Sequence, residues 1–232
     1  MNNKVFLITG ASTGIGEATA RRAVEAGFKV VLAARSTDKL ERLVTELGAE
    51  NALAVTCDVA EWQSQQEMVE KSLKRFGRID VVFANAGFSK GSTFYGGEDK
   101  PDEWREMVMV NVYGAAVTAR LTLPELVNNG GHFLITGSVV GRVTSIRNLY
   151  SATKWAVTGM AQAIRNEMLG TGIRVTLIEP GIVDTPFWDH LQKPASTELQ
   201  ADDIARAVMF AVSQPPHVDI NDILIRPTGQ PH

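Results

Sequence analysis

Cysteine is nearly missing from this chain: Cys57 is the only one in 232 residues. No disulfide can form within it, and such sparing use of cysteine fits a reducing compartment, so a cytoplasmic protein is expected. Long apolar runs are missing too. No stretch approaches 18 uninterrupted apolar residues, the length that marks a membrane-crossing helix. The short apolar run that begins at Val5 gives way to a glycine-rich loop before it could form the core of a signal peptide. Neither sign of charge dominates: 23 Lys and Arg face 26 Asp and Glu, for a formal net charge of −3, and no basic block occurs. Nucleic acid and anionic membrane surfaces are therefore not expected partners. His190 has no partner in the sequence that would make a ligand set, and no metal is expected. Low-complexity segments and repeats of 20–50 residues are also missing.

What is present is an ordinary globular composition, 44% hydrophobic and 21% charged, in a chain long enough for one large, well-buried α/β domain. Short β-branched apolar runs alternate with amphipathic stretches. Strands are predicted at Val5–Thr9, Lys29–Ala34, Ala52–Cys57, Ile79–Ala84, Gly131–Thr136, Arg174–Glu179 and Asp222–Ile225. Helices are predicted at Ile15–Ala26, Lys39–Leu47, Ala60–Phe76, Asp102–Val127, Leu149–Leu169 and Ala201–Ser213. Strand and helix in alternation imply parallel strands joined by right-handed crossovers. The strands are apolar throughout rather than alternating, as expected when helices cover both faces of a sheet. The expectation is a single domain over residues 1–232, a doubly wound sheet of about seven parallel strands. Residues 185–200 carry two prolines and no clear period, and are expected to form a substrate flap.

Two local patterns carry chemistry. Gly10, Gly14 and Gly16 lie between the first predicted strand and the first predicted helix. Glycine lets backbone approach closely, and a helix amino terminus offers free N–H groups and a positive dipole end to a phosphate. Without a ligand the same residues would make only a tight strand-to-helix turn. The second pattern is Tyr150 and Lys154, which share one face of a predicted helix one turn apart. A free phenol ionises near pH 10, and an ammonium beside it favours the phenolate, which brings the group toward useful acid–base work at neutral pH.

The spacing Thr-Gly-x-x-x-Gly-x-Gly, together with Tyr-x-x-x-Lys, resembles the short-chain dehydrogenase/reductase family. Further marks occur in the family's order: Cys57–Val59, Asn85–Gly87, Asn111 in Asn-Val-Tyr-Gly, Ser138 after a predicted strand, and Glu179–Thr185. The resemblance implies a Rossmann-type domain and an oxidoreductase that moves hydride between a nicotinamide cofactor and a carbonyl or secondary alcohol. It assigns Gly10, Ser12, Thr13, Gly14, Ile15 and Gly16 to the phosphates and ribose. Asp58 and Val59 would flank the adenine, although Asp58 also reads as a helix cap. Asn85, Ala86 and Gly87 would line the adjacent ribose. Pro180, Gly181, Ile182 and Thr185 would hold the nicotinamide. Tyr150 would be the proton donor or base, Lys154 its activator and a ribose ligand, and Ser138 the holder of the substrate oxygen. Asn111 would hold, through its helix backbone, a water leading from Lys154 to solvent.

An acidic residue at the end of the second strand would select NAD by accepting from the ribose hydroxyls. Ala34 stands there and Arg35 follows, a guanidinium able to clamp a 2′-phosphate, with Ser12 and Ser36 as further donors. NADP(H) is therefore expected, unless Arg35 stacks on adenine or caps a helix. Val139, Val140, Phe88, Ser89, Phe187 and Trp188 suggest a moderately apolar substrate. Arg147 leaves open a carboxylate, as in a 3-oxo or 3-hydroxy acid. Ser138 is preferred over Ser145 because it follows a strand. Surplus apolar positions on the long helices, and the family's habit, point to a homodimer or homotetramer. A dinucleotide-sensing protein without chemistry is the alternative on the same fold.

Overall fold

The computed structural model describes residues 3–90, 93–95, 100–143, 148–189, 191 and 197–230, with Asn148 described by its backbone only. Its centre is β1 (Val5–Thr9), in which every residue is buried. Neighbouring side chains leave that strand in opposite directions. Val5 and Leu7 enter one apolar core, and Phe6 and Ile8 enter another. A strand with two dry faces needs parallel neighbours on both sides and helices above and below.

The neighbours are β2 (Lys29–Ala34), β3 (Ala52–Thr56), β4 (Val81–Ala84), β5 (His132–Thr136), β6 (Arg174–Pro180) and β9 (Asp222–Ile225). They form one seven-stranded parallel sheet in the order β3-β2-β1-β4-β5-β6-β9. On the Phe6 side, α1 (Gly14–Glu25), α2 (Thr37–Leu47) and α7 (Ala201–Ser213) contribute Ala20, Leu40 and Val208 to the core. On the Leu7 side, α3 (Trp62–Phe76), α5 (Ala115–Asn129) and α6 (Asn148–Glu167) contribute Met68, Leu126 and Val157. This is the expected doubly wound, Rossmann-type sheet. The chain winds outward from β1 in one direction and from β4 in the other, so a crevice opens between their carboxyl ends, where such sheets bind ligands.

Two elements differ from the sequence-based expectation by more than a residue or two at their ends. The long helix expected over Asp102–Val127 is α4 (Pro101–Val108), a π-helical turn (Met109–Gly114) and then α5. The wider turn coincides with side chains that bind backbone. Asn111 bonds Phe88, and the Gly114 carbonyl accepts from Gln65 Nε2 at 2.9 Å as well as Thr118 Oγ1 at 2.9 Å. The second difference lies in residues 185–200. There β7 (Val183–Asp184) pairs in parallel with β8 (Leu199–Gln200), and a 3₁₀ turn forms at Pro186–Trp188. The segment expected to form a substrate flap thus begins just after β7 and ends in β8, while residues 190 and 192–196 lie outside the described ones. Among the described residues no helix is long and apolar enough to cross a membrane.

Candidate active site

A cavity of about 750 Å³ occupies the crevice at the carboxyl ends of the strands. Of the residues expected at the site, all but Gly16 and Asn111 line it, from the glycine loop through Arg35, Asp58 and Asn85 to Ser138, Tyr150, Lys154 and Thr185. Phe88, Ser89, Val139, Val140, Phe187 and Trp188 line it as well. Arg147, Ser145 and His190 fall outside the described residues.

The glycine loop shows why side chains are excluded there. Gly10 has φ +65°, and an added Cβ would stand 2.9 Å from Ala86 Cα. A Cβ on Gly16 would overlap the Gly10 carbonyl, so α1 can start directly against the loop only without one. The loop is fixed to β4 by Thr9, whose Oγ1 accepts from the backbone N–H of Asn85 at 3.0 Å and of Ala86 at 3.1 Å. The Asn85 amide binds Thr9 O at 3.1 Å and accepts from Thr136 Oγ1 at 3.1 Å. Its side chain therefore ties β1, β4 and β5 together beneath the cavity.

At the far end, Arg35 is exposed and pairs through Nη1 with Glu106 Oε1 of α4 at 3.1 Å. Asp58 caps a turn, accepting from Ala60 N–H at 2.9 Å, whereas the N-cap of α3 is Glu61. Cys57 is buried, and burial pushes its thiol up.

At the other end α6 places Tyr150 and Lys154 one turn apart. Lys154 is 4% exposed and donates from Nζ to Thr136 O at 2.8 Å, and that nitrogen stands 5.8 Å from the centre of the Tyr150 ring. Burial lowers the ammonium to about 8. Burial also pushes the Tyr150 phenol well above its ordinary range, and a hydrogen bond with Ser138 only partly offsets this. The expectation that Lys154 and the positive nicotinamide of the oxidised cofactor together favour the phenolate concerns the loaded site; in the chain alone, desolvation dominates at Tyr150.

Ser138 Oγ donates to Pro180 O at 3.4 Å and accepts from Val140 N–H at 3.3 Å. The turn after it is held by α6, where Ser151 Oγ donates to Val140 O at 2.6 Å. Asn111 is buried behind the cavity. Its amide donates to Phe88 O at 2.9 Å and Thr153 Oγ1 at 3.2 Å, and it accepts from Phe88 N–H at 3.0 Å. Beyond Tyr150 stands an aromatic wall. The Phe187 ring lies 5.6 Å from that of Tyr150 and 5.3 Å from that of Trp188, whose Nε1 donates to Val183 O at 2.9 Å.

Sequence reasoning missed the contacts of four groups. Thr9 and Thr136 are ordinary strand ends until their partners are seen. Glu179, 1% exposed, takes two bonds from Arg142, at 2.6 Å from Nε and 2.9 Å from Nη2, and Arg142 also reaches Asp222 at 3.0 Å. Gln230 lines the cavity from the stretch after β9. No local pattern marks these contacts, because their partners are distant in the chain.

The family model for short chain dehydrogenases matches residues 4–196. The chain belongs to the short-chain dehydrogenase family. It is an oxidoreductase of that family. An uncharacterized oxidoreductase of Staphylococcus aureus is 37% identical over 231 residues, covering 98% of each chain. An alcohol dehydrogenase of the archaeon Thermococcus sibiricus, solved with 5-hydroxy-NADP, is 34% identical with a TM-score of 0.90, covering 99% of this chain and 98% of that one. A 3-ketoacyl-(acyl-carrier-protein) reductase of Brucella melitensis, solved with NADH, is 32% identical with a TM-score of 0.88, covering 97% of both. Short-chain dehydrogenases thus similar to this chain hold nicotinamide dinucleotides of both kinds, and a nicotinamide cofactor fits the cleft described above.

Proposed function

We propose that this short-chain dehydrogenase transfers hydride between NADP(H) and a carbonyl or secondary alcohol, with 3-oxo and 3-hydroxy acids or esters among the candidates. The observation that carries the reading is the convergence of Ser138, Tyr150 and Lys154 in one cavity that begins at the glycine loop. The backbone around Gly10 and Gly16, where a Cβ would collide, suits the close approach of a pyrophosphate. Gly10, Ser12, Thr13, Gly14, Ile15 and Gly16 would hold the phosphates and ribose. Asp58 and Val59 would meet the adenine, and Asn85, Ala86 and Gly87 the ribose beside it. Pro180, Gly181, Ile182 and Thr185 would form the nicotinamide wall.

When bound, the nicotinamide supplies or accepts the hydride. The chain's own residues move the proton and place the oxygen. Tyr150 donates its phenolic proton to the carbonyl oxygen, or takes it from the alcohol. Ser138, already bonded to Tyr150, offers the same oxygen a second hydrogen bond. Lys154 keeps positive charge beside the phenol and holds ribose hydroxyls. Asn111, through the widened helical turn, holds a water that returns protons to Lys154. Support for NADP(H) comes from Arg35 lining the cavity beside Ala34, where a NAD-selecting acid would stand; a 2′-phosphate would draw the guanidinium from Glu106, its partner in the chain alone. The aromatic wall of Phe187 and Trp188 favours an apolar group on the substrate. The reading takes the whole chain as one catalytic unit, a cytoplasmic homo-oligomer.

The test follows NADPH and NADH absorbance with ketones, aldehydes and 3-oxo esters. NADPH is expected to react faster. Tyr150→Phe is expected to lose about a hundredfold or more in turnover while binding cofactor normally. Faster reaction with NADH would overturn the role of Arg35. Substantial turnover by the variant would overturn that of Tyr150. Tight cofactor binding without turnover of any substrate would favour a dinucleotide sensor.

A further inference from the structure

We propose that Gln230 is a positioning residue for the cofactor side of the cavity, holding the Gly181–Thr185 wall through the Ile182 N–H; this rests on the nicotinamide reading above. Its side-chain Oε1 accepts from Ile182 N–H at 2.9 Å. That N–H lies in the gap between β6, which ends at Pro180, and β7, which begins at Val183. The flanking backbone groups have strand-like partners: Gly181 N–H donates to Ile225 O at 2.7 Å, and Ile182 O accepts from Leu199 N–H at 2.9 Å. The Ile182 N–H instead depends on a side chain 48 residues away. Ile182 is buried, and a buried donor left without its acceptor is costly, so removing Gln230 forces the wall to shift.

The fit is close on both sides. A Cβ on Gly181 would overlap the Gln230 amide oxygen, so the amide can nest only against glycine. Gln230 is itself set by a turn, its N–H donating to Pro227 O at 3.1 Å, with Gly229 at φ +87°. The wall touches both working parts of the site. Pro180 O accepts from Ser138 Oγ, and the Thr185 methyl stands 3.0 Å from where a Cβ on Gly14 would be. A shift at Ile182 therefore reaches the glycine loop and Ser138 together.

The experiment measures dissociation constants of NADPH and NADH, KM, kcat and thermal midpoint for the full chain and two variants. Gln230→Met keeps length and removes the acceptor. Gln230→Glu keeps an oxygen acceptor. The Met variant is expected to bind the preferred cofactor about tenfold more weakly and to lose about threefold in kcat at saturation, because the shift also reaches Ser138. The Glu variant is expected to remain within about threefold of the parent. A Met variant that binds cofactor like the parent, whatever its thermal midpoint, would overturn the proposal. So would a Glu variant as weak as the Met variant. Failure of the parent chain to bind either dinucleotide would overturn the cofactor reading itself, a result separable from both.

Discussion

Lys154 carries its charge into a buried place where its Nζ donates to Thr136 O, and burial alone accounts for its lowered pKa. A fall from 10.5 to about 8 means that the folded chain binds this proton less readily than the unfolded chain. The ammonium therefore costs stability below pH 8, by an upper limit of ~3 kcal/mol, and the cost fades as pH rises from 8 toward the unfolded value. Lys154→Met is expected to raise the thermal midpoint by about 3–6 °C at pH 7 once the lost bond to Thr136 O is allowed for, while turnover disappears. The gain should shrink toward pH 10. Scanning calorimetry at both pH values checks this, and a variant less stable than the parent at pH 7 would show that the bond outweighs the desolvation.

At the scale of elements, the loop after β5, the end of β6 and the start of β9 meet in one ionic cluster. Arg142 stands four positions after Ser138, Glu179 immediately precedes Pro180, and Asp222 opens β9. Burial raises the Glu179 carboxyl and Arg142 holds it down. Arg142→Met would leave a buried carboxylate facing Asp222 with no counter-charge. The expected loss is about 3 kcal/mol at pH 7, read from urea unfolding. A carboxyl with a raised folded pKa costs more stability as pH climbs through that value, so the loss should be smaller at pH 5. An equal loss at both pH values would mean that packing, not charge, explains the effect.

For the whole molecule, both sheet faces are already covered, yet large apolar side chains remain outside: Val108, Tyr113, Val127 and Trp155 along the α4–α5 and α6 helices, and Phe210 and Leu224 near the sheet's β9 edge. Burial in a second copy would account for them. Light scattering at micromolar concentration is expected to give two or four times the chain mass of 25.2 kDa. Trp155→Lys combined with Val108→Lys is expected to lower that mass. A parent chain that runs as a monomer would remove the assembly from the functional reading.

Sequence alone determined where the elements fall along the chain. Val5–Thr9 and Lys29–Ala34 are found at the residues where the pattern puts them, because strands dry on both faces demand uninterrupted apolar runs; the edge strand Asp222–Ile225 and the amphipathic helix Ala201–Ser213 are found where expected too. It also picked out Gly10, Gly14, Gly16, Tyr150 and Lys154, since those pairings are local: a turn, a helix start, one helical face. Tertiary structure decided what depends on distant partners. The π-helical turn at Met109–Gly114 coincides with Asn111 reaching Phe88, 23 residues away. Arg35 meets Glu106 across 71 residues, and Gln230 reaches Ile182 across 48. The sign of the shift at Tyr150 is likewise decided by how much water the folded pocket excludes, and no spacing along a chain measures that.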